Sequence, residues 1–304
     1  MKLGTGQAPS IWSKTSQVPR KTRLPLVQRD VESIILGQSS SEEIIVESKI
    51  TGKGEPLVLV PGGLTGWISW DPFVPLLNHD REVVLFQLLN VAYGLKSKPL
   101  PQNYSLSYES RALNESLEEL KIAEADFVAW SYGAAITLDF ALNHPEKIRS
   151  LTLIEPPAIW TLRDSGRLET ELDEDEIKMR ELSVEEITED QLVWFTHFAG
   201  FVPPLVDPRS LPQWEVWLQH RQSLRNNIVV FEHKDALTRL KNFHKPVLLV
   251  TGEGTSPFLT EIIQVLGELL PDVRTAKFPG GHAPHIVARN DFLSRLRDFL
   301  TTKK

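Results

Sequence analysis

Asp126-Phe127-Val128-Ala129-Trp130-Ser131-Tyr132-Gly133 carries the chain from a strand into a helix within a few residues. The run 126–130 has the length and composition of a buried parallel strand, and from 134 to 144 apolar residues recur at helical spacing. Strand, turn and helix therefore meet at Ser131. A reversal this abrupt needs small residues two before and two after its apex, because a larger Cβ would meet neighbouring backbone. Ala129 and Gly133 supply them. The pattern is the small-x-Ser-x-small form of a nucleophile elbow, a strained turn that exposes one serine. Taken alone, the same five residues also suit an ordinary strand-to-helix connection.

The elements on either side narrow the choice. Residues 43–49 alternate as a strand does, Gly52-Lys53-Gly54 turns the chain, and Leu57-Val58-Leu59-Val60 is a buried run ending in Pro61-Gly62-Gly63. A second buried run covers 83–86. A helix predicted over 108–120 puts Leu113, Leu117 and Leu120 on one face and leads into the strand before Ser131. After the elbow helix come the run 151–154, a long helical stretch, the run 247–250, a helix over 259–270, a strand over 273–278 and a last helix over 291–300. Buried strands alternating with amphipathic helices predict a doubly wound, mostly parallel α/β sheet, which binds ligands at the carboxyl ends of its strands.

Between 158 and 237 the alternation stops. Ser183 with Glu186 and Thr188 with Gln191 are spaced as capping boxes, and 212–226 reads as a further helix. The expected organisation is a core of 43–157 and 238–304, an all-helical cap or lid of 158–237, and a basic N-terminal extension of 1–42 with room for a first strand. The insertion holds Trp160, Trp194, Phe195, Phe198, Trp214 and Trp217, which either form its own small core or wall an apolar substrate site.

Composition excludes several classes. A chain of 304 residues, 41% hydrophobic, buries a sizeable core. With no cysteine it has no disulfide, thiolate nucleophile or cysteine metal site, which suits a reducing compartment. No apolar run approaches the roughly 18 residues of a membrane span. The formal net charge of −7 argues against nucleic acid as a partner. Eleven acidic residues against two basic ones in 169–190 read as a solvated helical face. The first 29 residues hold six Lys or Arg and no acid, as a surface extension or an organelle transit peptide would. The expected location is the cytoplasm, with organelle targeting the alternative.

In order along the chain, AWSYG, VLVPGG, HPEKIRSLTLIEPP, PVLLVTGEG and FPGGHAPH resemble the α/β-hydrolase superfamily, of the kind with a helical cap after the sixth core strand, over residues 44–300. The resemblance implies Ser131 as nucleophile and His282 as base. His282 also suits that role by its place, on a turn leaving the final strand at the carboxyl edge of the sheet. His285 makes an HxxH pair with it, but there is no third ligand for zinc. The acid departs from the family pattern. Many relatives have an aspartate three residues after the glycine that closes the strand 247–251, where this chain has Thr255. A second acid position of the superfamily falls on Glu155, in Leu153-Ile154-Glu155-Pro156-Pro157, and it is favoured here over Glu253. The resemblance places the oxyanion hole at the amides of Tyr132 and of Gly63 or its neighbour Leu64. Pro61 stands where relatives often have histidine. Trp67, Trp130, Trp160 and Trp194, with Leu64, are candidates for the substrate pocket, and core packing is the competing role.

These residues point to a serine hydrolase acting on an ester, thioester, lactone or amide of a small, largely apolar molecule, with no metal or cofactor. Acyl transfer, carbon–carbon hydrolysis and haloperoxidase-like chemistry use the same three side chains, and a ligand receptor on the same fold is the alternative outside enzymes. The sequence does not fix the oligomeric state.

Overall fold

The computed structural model describes residues 46–168, 171–182 and 186–302. The N-terminal extension and Ser183, half of one expected capping box, lie outside them. Seven strands form one sheet: β1 (Ser48–Gly52), β2 (Glu55–Val60), β3 (Arg81–Phe86), β4 (Ala125–Trp130), β5 (Ile148–Ile154), β6 (Val247–Gly252) and β7 (Val273–Phe278). Their order is β1-β3-β2-β4-β5-β6-β7, with β1 antiparallel to β3 and every other pairing parallel.

The continuous apolar runs are explained by burial on both faces. Successive side chains of a strand point to opposite sides, so Val58, Val60, Phe127, Ala129, Leu151 and Leu153 enter one core while Leu57, Leu59, Val128, Trp130, Leu248 and Val250 enter the other. The chain leaves β2 toward β3 on one side and returns through β4 on the other. The sheet therefore reverses its winding between β2 and β4, and sheets of this class bind ligands at the carboxyl ends of the strands at such a point.

The helix Leu106–Glu119 starts at Ser105, whose hydroxyl accepts the Tyr108 N–H at 3.1 Å, two residues before the sequence places it. The helix following β4 spans Tyr132–Asn143. Between β5 and β6, after the fifth described strand, run the helices Ile159–Ser165, Glu171–Glu181, Glu189–Phe198, Trp214–His220, Val229–Glu232 and Leu237–Lys241. The capping box at Thr188 and Gln191 is formed. The acidic helix Glu171–Glu181 buries Met179 and turns Asp173, Glu174 and Glu181 outward, a solvated face. Over 212–226 the expected single helix is shorter: an α-helix ends at His220 and tightens into a 3₁₀ turn, Arg221–Leu224. Of the strand expected over 43–49, residues 43–45 lie outside the described ones and β1 begins at Ser48, and among the described residues no helix is long and apolar enough to cross a membrane.

Candidate active site

Ser131 occupies the tip of the β4 turn with φ 54° and ψ −127°, a conformation that L-residues avoid. Sheet and helix hold it there. Its N–H donates to the Ile154 carbonyl at 2.8 Å, and its carbonyl accepts the N–H groups of Ala134 and Ala135. The requirement for Gly133 is steric: a Cβ there would stand 2.1 Å from the Pro61 carbonyl oxygen. Elbow and β2 loop are thus in backbone contact. The serine side chain does not cap its own helix, so the hydroxyl is left for another partner.

That partner is His282. Its Nε2 lies 2.6 Å from Ser131 Oγ, and its Nδ1 lies 3.3 Å from Glu155 Oε2. The hydroxyl donates to Nε2 when Nδ1 carries the imidazole proton toward the carboxylate. The histidine loop is clamped on three sides. The His282 N–H donates to Gly200 O at 2.9 Å, its carbonyl accepts Trp130 Nε1–H at 2.8 Å, and the Phe201 ring stands edge-on to the imidazole at 4.8 Å. A Cβ on Gly281 would reach within 2.2 Å of Gly200 O, so the helical segment touches this loop directly.

Glu155 is wholly buried at the end of β5, with φ 50°. Four donors surround its carboxylate. Oε1 accepts Thr251 Oγ1–H at 2.7 Å and the Gly252 N–H at 2.8 Å, while Oε2 faces both His282 and the Thr255 hydroxyl. Burial alone pushes this carboxyl up. The bonds and charge of His282, then Thr255 and Thr251, outweigh burial and hold it below its ordinary value. Glu253 is exposed. Thr255, standing where an aspartate was sought, belongs to the site as a donor, a role with no signature in the sequence.

The remaining candidates fall into two groups. Gly63 packs on the elbow, since a Cβ there would meet Tyr132 Cβ at 3.0 Å, and Leu64 is buried beside it. Trp130 underlies the histidine loop, 5.9 Å from the His282 ring and 4.8 Å from that of His285. Trp67, Trp160 and Trp194 have other neighbours: Lys49 over Trp67, His233 beside Trp160, and Phe198 stacked on Trp194. Sequence reading missed Phe201 edge-on to His282 and Asn90 against the Gly63 carbonyl. Among the described residues Asp139, His233 and Asp235 bring one ligand atom each within 4.8 Å of one another. Protein donors already serve both carboxylates: Arg239 on Asp235, Ser107 and Asn143 on Asp139.

A family model for the alpha/beta hydrolase fold matches residues 55–201. Over 106 residues, 34% of the chain, the sequence is 32% identical to 2-hydroxy-6-oxo-2,4-heptadienoate hydrolase of Pseudomonas putida, a stretch that spans 38% of that relative's length. Over 281 residues it is 22% identical to Lipase 3 of Moraxella sp. (strain TA144), covering 89% of this chain and 85% of the relative. A solved structure of a hydrolase from Pseudomonas aeruginosa matches with a TM-score of 0.70 at 19% identity, over 84% of this chain and 94% of that one.

Proposed function

We propose that this chain, which has the α/β-hydrolase fold and matches the family model for that fold over residues 55–201, is a serine hydrolase cleaving an ester, thioester, lactone or amide of a small, largely apolar molecule. The observation that carries this reading is the hydrogen-bonded line from Ser131 Oγ through His282 to Glu155. Ser131 attacks the carbonyl carbon as its proton passes to His282 Nε2. Glu155 holds the imidazole in the required tautomer and stabilises the imidazolium. The tetrahedral oxyanion is met by the Tyr132 N–H at the start of its helix and by the β2 loop at Gly63 and Leu64. His282 then gives the proton to the leaving group, which departs as the carbonyl re-forms. Water, deprotonated by the same imidazole, releases the acid and restores Ser131.

The segment 158–237 acts in this reading as a cap on a core of 43–157 and 238–304. Phe201 presents an apolar edge beside the base, which supports an apolar substrate. Hydrolysis of a dienoate of the kind that names the Pseudomonas putida relative is the second reading, favoured by the 32% identity of that stretch.

A fluorophosphonate probe tests the proposal. The wild-type protein is expected to label at Ser131 and to hydrolyse p-nitrophenyl esters with a preference by acyl length, and Ser131→Ala to lose both. A wild-type protein that neither labels nor turns over esters or a dienoate is a receptor on a hydrolase fold.

A further inference from the structure

Behind the elbow lies a set of buried polar side chains that the reaction above does not use, and they converge on one carboxylate. Glu109, 2% exposed, accepts the Leu89 N–H at 3.0 Å and the Asn90 N–H at 2.9 Å. These open the short helix Leu89–Leu95, which has no side-chain cap at its own N-terminus. The same carboxylate accepts the Tyr104 hydroxyl at 2.6 Å, and the Tyr104 oxygen lies 2.8 Å from the Tyr132 hydroxyl. With the Tyr104 proton committed to Glu109, Tyr132 is the donor in that pair.

Asn90 leads the other way. It is 1% exposed, and its Nδ2 spends both protons on main-chain carbonyls: Gly63 at 2.9 Å and Ser223 at 2.8 Å. The first lies in the loop after β2 and the second in the helical segment. A peptide unit is planar and trans, so its C=O and the following N–H point in opposite directions. Holding the Gly63 carbonyl on Asn90 therefore fixes the direction of the Leu64 N–H. There is little slack, because a Cβ on Gly63 would meet both Tyr132 and Asn90 Nδ2, the latter at 3.2 Å.

We propose that Asn90 is a positioning residue for the oxyanion hole, and that Glu109 joins the two halves of that hole: Tyr132 through Tyr104, and the Gly63–Leu64 peptide through Asn90. The inference rests on the hydrolase reading. The second proton of Asn90 extends the frame to the helical segment at Ser223. A Cβ on Gly94, on the same short helix as Asn90, would come within 2.6 Å of the Ser223 N, so helix and segment meet backbone to backbone. Asn90 thus ties the β2 loop to the helical segment through one side chain.

Steady-state kinetics on a p-nitrophenyl ester, paired with inhibition by a trifluoromethyl ketone of the same acyl chain, tests this. The ketone forms a tetrahedral adduct whose oxyanion needs the hole, whereas ground-state binding does not. Asn90→Ala is expected to lower kcat by about 10- to 100-fold with KM within about twofold, and to weaken the ketone by a similar factor. Tyr104→Phe, which removes one hydroxyl from the frame, is expected to give the same split at roughly three- to tenfold, and it carries the test if Asn90→Ala fails to fold. Folded variants with unchanged kcat and ketone affinity, or with raised KM alone, overturn the proposal. A wild-type protein with neither fluorophosphonate labelling nor turnover removes the hydrolase reading and this one with it, a failure visible before any variant is made.

Discussion

His285 offers a test of how the rear of the site is built. It is completely buried, and neither ring nitrogen has a hydrogen-bond partner among the described residues. Its ring centroid lies 5.1 Å from Trp70, 5.7 Å from Phe73, 4.8 Å from Trp130 and 5.8 Å from Phe292. Burial, and to a smaller extent the charge of His282, lowers its pKa from 6.5 to about 3. The native state thus refuses a proton that the unfolded chain accepts below about pH 6.5. Stability contributed by the neutral ring is complete above that value and is lost as pH falls toward 3. At pH 5 the loss relative to pH 8 is about 2 kcal/mol, one and a half pH units at about 1.36 kcal/mol each.

His285→Leu removes the titrating group at similar volume. Urea unfolding of both proteins from pH 8 to pH 5 is expected to show the stability difference shifting by about 2 kcal/mol in the variant's favour, whatever its starting sign. In thermal unfolding the same shift is about 3 to 4 °C, at an unfolding entropy of about 2.1 cal/mol/K per residue. Other groups titrate alike in the two proteins and cancel in the difference. Parallel pH curves would refute the reasoning, because they would mean that the folded protein protonates His285 as readily as the unfolded chain does.

Two further substitutions address the acid and the elbow. Glu155→Gln is expected to lower kcat by about 10³- to 10⁴-fold through the wrong imidazole tautomer. Adding Thr255→Asp returns a carboxylate to the neighbourhood of His282 Nδ1, and should recover roughly tenfold of that loss, whereas no recovery would place the His-facing position elsewhere. Gly133→Ala drives a Cβ to 2.1 Å from the Pro61 oxygen, and is expected to destabilise the fold by more than about 3 kcal/mol. An unchanged melting temperature would show that elbow and loop part easily.

Much of this architecture could be read in the sequence because it follows from short-range rules. Parallel strands buried on both faces must be continuous apolar runs, and those runs became β2 to β6 within two or three residues of their expected ends. The elbow was legible because sterics at Ala129 and Gly133 are local. What was not legible depends on pairs brought together by strand order. Thr251 and Thr255 lie 96 and 100 residues from Glu155, and no periodicity marks a threonine as a donor. Asn90 to Ser223 spans 133 residues. Its one trace in the sequence is a polar residue flanked by Leu88, Leu89, Val91 and Ala92. The faces taken by the aromatics were hard to read for a related reason: a tryptophan near a motif in sequence, such as Trp67, has a choice of faces, and here Lys49 of the edge strand β1 lies over its ring.

The position of Glu155, the acid in the proposed reaction, follows from the same sheet geometry. β5 and β6 are parallel neighbours with Ile154 abreast of Val250, and the Glu155 N–H continues the ladder onto the Val250 carbonyl at 3.0 Å. Residue 155 therefore emerges beside the exit of β6, one strand inward from the loop where the family pattern has its aspartate. The left-handed φ of 50° at Glu155 is unfavourable by roughly 1 to 2 kcal/mol, and three donors from the β6 exit, Thr251, Gly252 and Thr255, compensate by binding the carboxylate. The hydroxyl at 255 and the imidazole of His282 thus meet at the same carboxylate oxygen, Glu155 Oε2. The threonine stands as a donor to the oxygen that faces His282, so its loss should loosen the imidazole's orientation without removing the charge that supports it.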